Sequence, residues 1–110
     1  SKTNEITRDI IKLLKLHGFR IWRNNNGVVK KGSRYIRFGK VGTPDIIGYT
    51  PKGQFIGIEV KNPKTKDKLS DEQIAFCTDA IECDCLICVA TSVKAVELVL
   101  KETGFFNKAS

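Results

Sequence analysis

The run Phe55-Ile56-Gly57-Ile58-Glu59-Val60-Lys61 constrains this chain more than any other segment, because it alternates as a strand yet places a carboxylate where burial is expected. Strand side chains alternate between two faces, so Ile56, Ile58 and Val60 point one way while Phe55, Gly57, Glu59 and Lys61 point the other. Glu59 and Lys61 therefore share a face. A carboxylate taken out of water without compensation is costly, so Glu59 calls for a cation beside it. A short way upstream, Gly42-Thr43-Pro44-Asp45-Ile46-Ile47-Gly48 opens a second apolar strand on another carboxylate. Two carboxylates and an ammonium from adjoining strands could hold a hard divalent cation and leave a cationic donor next to it, as metal-assisted phosphodiester hydrolysis requires. Each acid also has a plainer explanation: Thr-Pro-Asp is good turn chemistry at a strand entry, and Glu59 with Lys61 would suit a half-exposed Glu-Lys ladder.

The remaining segments read as helices and strands in alternation. Residues 5–16 carry Ile6, Ile10, Leu13 and Leu14 at helical spacing, with Gly18 as the stop. Residues 19–24 alternate as a strand, 24–27 read as a turn, and 28–31 with 34–38 form a hairpin whose tip is Gly32-Ser33. Residues 45–49 and 55–61 make another strand pair, joined through Thr50-Pro51-Lys52-Gly53. A lysine-rich loop over 62–69 precedes a helix that opens at Ser70 with Ile74, Cys77 and Ile81 as apolar positions. Residues 86–90 form a short buried strand, and Ser92 caps a last helix carrying Val93, Val96, Val99 and Leu100. A chain of 110 residues has room for one domain, spanning 1–110. The order predicts an α/β fold, a mixed central β-sheet flanked by helices.

Lys and Arg number 19 against 12 acids, a net charge of +7 that favours an anionic partner such as a phosphate backbone. Hydrophobic content of 41% with 28% charged residues suits a soluble globular protein. No apolar run approaches the roughly 20 residues that span a bilayer, and the N-terminal segment lacks the apolar stretch of a secretory signal. The expectation is an intracellular protein with no membrane partner. Cys83, Cys85 and Cys88 crowd together, but three thiols without a second pair, far in sequence from His17, read as small buried hydrophobes and not as a zinc site.

In one order the chain carries Arg23-Asn24-Asn25-Asn26-Gly27, Arg37-Phe38-Gly39, the Gly-Thr-Pro-Asp-Ile-Ile-Gly run, Ile58-Glu59-Val60-Lys61 and Leu69-Ser70-Asp71-Glu72-Gln73. Pro-Asp followed by Glu-x-Lys resembles the PD-(D/E)XK nuclease signature, and the full set resembles the VRR-NUC (virus-type replication-repair nuclease) branch in its small stand-alone form. The resemblance runs from Glu5 to the last helix. It implies a restriction-endonuclease-like core in which Asp45 and Glu59 are ligands of Mg²⁺ or Mn²⁺, the backbone carbonyl of Val60 completes the cage, and Lys61 orients or polarises the attacking water. It also makes Glu5, in the first helical turn, a candidate third acid, with Asp9 as its substitute. Acids equally favour helix N-termini through the macrodipole, and Glu5 lies to the side of the apolar face. Gln73 matches a glutamine that related nucleases place near the cleft, while Ser70-Asp71-Glu72-Gln73 is also a capping box.

Arg23, Asn24, Arg37, Lys40, Lys64 and Lys66, with Arg34 and Lys68, flank these acids and suit phosphate contacts insensitive to base sequence, although any single one of them could be a solvated surface charge. Trp22 reads as a core or sheet-face residue. Together with the resemblance, these residues imply a metal-dependent, structure-selective DNA endonuclease, with a Holliday-junction resolvase leading. Flap or unbranched-duplex cleavage is the alternative within the same chemistry, and a catalytically idle nucleic-acid-binding module the alternative outside it. A homodimer is expected, since two symmetry-related cuts suit a two-fold assembly. If the source is viral, the compartment is the host cytoplasm.

Overall fold

The computed structural model describes residues 2–25, 27–65 and 67–105, apart from the side chains of Arg37 and Phe38. Helix α1 (Lys2–Leu16) buries Ile6, Ile10 and Leu14, spaced four apart on one stripe. It ends where Gly18 turns left-handed at φ 85°, letting the Phe19 amide donate back to the Leu14 carbonyl at 3.0 Å. The helix starts three residues earlier than periodicity alone marks.

Strands β1 (Arg20–Arg23), β4 (Ile46–Tyr49), β5 (Phe55–Val60) and β6 (Leu86–Ala90) form one sheet in the order β1-β4-β5-β6. β1 and β5 flank β4 antiparallel, and β6 lies parallel to β5, so the sheet is mixed as expected. Ile46, Ile56, Ile58 and Val60 meet Ile6, Ile10, Leu14, Phe19, Val96 and Leu100 in the main core, which sets α1 and α3 (Val93–Glu102) on one face. Ser92 caps α3, its Oγ accepting from the Ala95 amide at 3.1 Å. β5 is covered on both sides, which explains its near-continuous apolar run.

Helix α2 (Asp71–Glu82) covers the other face, and here the sequence expectation needs correcting. Ile74 and Ile81 are about half exposed, while Cys77 and Ala80 are buried. Cys77 and Ala80 are the buried pair, and half-buried Gln73 lies on the same side of the helix, at spacing i, i+4, i+7. Small residues let α2 approach the sheet closely, and the same rotation carries Gln73 inward. Cys88 is buried as expected, but Cys83 is exposed at the end of α2 and Cys85 is partly so. Trp22 lies on a sheet face and is half exposed.

The hairpin of β2 (Gly27–Lys31) and β3 (Arg34–Phe38) forms a separate two-stranded sheet. It is inserted between β1 and β4, which pair with each other directly.

Candidate active site

The register of β4 and β5 brings the two acids together. Ile46 pairs with Ile58, so one further antiparallel step sets Asp45 opposite Glu59, on the same face of the sheet. Asp45 is fixed from two sides: its Oδ2 accepts from the Val60 amide at 2.8 Å, and its carbonyl accepts from the Asn24 amide at 2.7 Å. Pro44, which delivers it, rests over Gly57; a Cβ there would stand 2.9 Å from Pro44 Cγ and 3.2 Å from Ile87 Cδ1. The space that glycine leaves is thus filled by proline. Gly42, at φ 89°, is held as tightly, since a Cβ would meet the Glu72 carbonyl oxygen at 2.3 Å.

Glu59 is 2% exposed, and its Oε2 has no hydrogen-bond partner. Burial raises its pKa to about 8, and the neighbouring Asp45 adds to the rise by hydrogen bonding and by charge, against the opposing pull of Lys61. A dication beside the two carboxyls would offset the burial and the like charge that hold the Glu59 proton on. The Lys61 Nζ reaches Gln73 Oε1 at 3.4 Å. That same oxygen accepts from the Ser70 amide at 2.8 Å, and Ser70 Oγ accepts from the Gln73 amide at 3.1 Å, so the capping box also holds the acceptor for Lys61.

Asp45, Glu59, Val60, Lys61 and Gln73 line a polar hollow of about 290 Å³ at the end of the sheet, with Thr3, Thr7, Arg23, Asn62 and Asp67 completing its wall. Arg23 donates to Asn4 Oδ1 and is thereby anchored to α1. The sequence expectation brought Asp45, Glu59, Val60, Lys61, Gln73 and Arg23 to this region, and all six line it. Glu5 does not. It is exposed and outside the lining, because Thr3 and Thr7 face the hollow and Glu5, two residues from each, lies about 200° away around the helix. Asp9 is exposed and outside it for the same reason. Asn24 sits behind Asp45, bracing its main chain. Lys40 lines a separate groove against α2 with Glu72, and Lys64 is exposed outside the hollow. Lys66 and the Arg37 side chain lie outside the described residues.

Thr3, Thr7, Asn62 and Asp67 were not foreseen. The pair Thr3 and Thr7 had a signal, an i, i+4 polar notch beside the Ile6/Ile10 stripe; Asp67 had none within its lysine-rich loop. Among the described residues no three His, Cys, Asp or Glu side chains stand close enough to hold a metal ion. Within the hollow, the Asp45 and Glu59 carboxylates and the main chain of Val60 could offer oxygens to a cation. The unpartnered, buried Oε2 and a donor set of hard oxygens fit a divalent cation of the Mg²⁺ class.

No curated protein matches the chain in sequence. A solved structure described as a VRR_NUC domain shares the fold, with a TM-score of 0.65 at 18% identity, covering 92% of this chain and 96% of that one. Residues 8–94 match the family described as the VRR-NUC domain, a span that holds Asp45, Glu59, Lys61 and Gln73, so the chain belongs to the VRR-NUC family and carries a nuclease domain of the PD-(D/E)XK type.

Proposed function

We propose that this protein is a Mg²⁺- or Mn²⁺-dependent endonuclease that cuts DNA by structure and not by sequence, with a four-way junction as leading substrate and a homodimer as the working form. The observation that carries the reading is the Asp45–Glu59 pair, whose buried Oε2 lacks a partner beside Lys61. Asp45, Glu59 and the Val60 carbonyl would hold the cation. Once bound, it supplies Lewis-acid stabilisation of the phosphate oxygens and lowers the pKa of water. Lys61, steadied by Gln73, stands beside the pair to orient the nucleophile and offset charge building on the phosphate. Arg23, tied to Asn4, offers a guanidinium at the mouth for a second phosphate. Support for the branched substrate comes from likeness to the small stand-alone members of the family. An intracellular setting, with reduced thiols, suits this role.

The test is a labelled four-way junction, a flap and a linear duplex, each incubated with Mg²⁺, Mn²⁺ or EDTA. Cleavage with either metal and none in EDTA is expected, with Asp45→Ala and Lys61→Ala losing cleavage while keeping binding. A wild-type protein that retards DNA but leaves every strand whole would make it an idle binding module instead. Flap or duplex cut in preference to the junction would retain the chemistry and replace the substrate.

A further inference from the structure

We propose that the β2–β3 ribbon is an arm that grips duplex DNA beside the scissile phosphate, outside the active-site hollow. The inference rests on the nuclease reading only for the identity of the polyanion.

Among the described residues the ribbon makes no more than marginal contact with any other helix or strand. A lone two-stranded hairpin is marginally stable in water, so its surface calls for a partner. Val28, Val29, Tyr35 and Ile36 are between 45% and 69% exposed, far more than a core hairpin would leave open. The register puts Val28, Lys30 and Tyr35 on one face and Val29, Lys31, Arg34 and Ile36 on the other. Both faces therefore combine apolar side chains with cations, and Lys30 Nζ lies 5.9 Å from the Tyr35 ring centroid.

Charge selects the partner. The segment 27–38 holds Lys30, Lys31, Arg34 and Arg37 and no acid, in a chain where no acid occurs between Asp9 and Asp45. A second copy of the arm would bring two such cationic sets together with nothing to neutralise them. A duplex supplies the opposite sign, and its major groove admits a two-stranded β-ribbon whose lysines and arginine can meet the phosphates on either side. Position agrees. One foot of the arm follows Arg23, which lines the hollow, and the other leads through residues 39–44 to Asp45. Five residues per strand reach roughly 17 Å, about five base pairs of duplex rise.

The experiment measures affinity for a fluorescent linear duplex in EDTA over a salt series, so that binding is read without cleavage. Lys30→Ala/Lys31→Ala/Arg34→Ala is expected to bind roughly 10- to 100-fold more weakly and to flatten the log–log salt slope by about two to three. Lys30→Arg/Lys31→Arg should bind as wild type, which separates charge from damage to the fold. Affinity within twofold of wild type in the triple Ala variant would overturn the proposal, as would equal loss in the Arg variant. So would a Val29→Ser/Ile36→Ser variant that turns a wild-type dimer into a monomer in sedimentation yet keeps its DNA affinity, since the arm would then serve self-association. A wild type that cuts DNA while the triple Ala variant binds normally refutes the arm alone. A wild type that never cuts, with the triple Ala variant still losing affinity, refutes the nuclease reading and leaves the arm standing.

Discussion

Replacing Glu59 with Gln is expected to remove most of the pH dependence of this protein's stability between pH 4.5 and 8. Burial and Asp45 raise the Glu59 pKa from 4.5 to about 8, so over that interval the folded state holds a proton that the unfolded state has released. Folding then takes up protons, and stability declines as pH rises: the contribution is fully present below pH 4.5 and lost as pH passes through about 8. At about 1.4 kcal/mol per pH unit, the decline amounts to roughly 5 kcal/mol, a large share of the roughly 5–15 kcal/mol that holds a domain folded. Gln keeps a donor toward Asp45 and carries no charge to desolvate. In EDTA at pH 8, Glu59→Gln should therefore exceed wild type by about 2–5 kcal/mol in urea denaturation, and its Tm by on the order of 10 °C. Excess Mg²⁺ or Mn²⁺ should stabilise wild type at pH 8 and narrow that gap, because the cation takes the place of the proton on Glu59. Parallel pH profiles for the two proteins in EDTA would refute a buried Glu59 that stays protonated up to about pH 8.

Gly57→Ala places a Cβ 2.9 Å from Pro44 Cγ and should cost about 1–3 kcal/mol in urea denaturation, with cleavage falling further than the unfolded fraction explains because Pro44 carries Asp45. Gln73→Ala should lose about 1 kcal/mol of stability through the cap and also slow cleavage by freeing Lys61, whereas Gln73→Glu should keep the cap. Glu5→Ala, at an exposed site outside the hollow, is expected to change the cleavage rate less than twofold; a hundredfold loss would return Glu5 to the ligand set.

Much of the site was legible because its parts are local. Glu59 and Lys61 share a face through the two-residue strand period, and Ser70 with Gln73 is a three-residue capping signal. Asp45 was marked by the turn before it. Glu5 was named through the family resemblance, with the preference of acids for a helix N-terminus as the plainer account, and only the rotation of α1 shows that Thr3 and Thr7 line the hollow while Glu5 does not. On α2, apolar spacing named Ile74, Cys77 and Ile81, of which Cys77 is buried with Ala80 while the two isoleucines stay about half exposed.

Alternation, caps, breakers and charge thus mark from sequence alone where most of the strands and helices lie, that an acid interrupts a buried strand, and that the chain's charge favours an anionic partner. Those signals act within a few residues. Which acids meet depends on the register of β4 on β5, on the rotation of α1 and α2 against the sheet, and on Pro44 resting over Gly57. That the β2–β3 ribbon stands apart from the main sheet follows from β1 pairing directly with β4. Such choices come from packing between segments distant in the chain, and no local pattern encodes them.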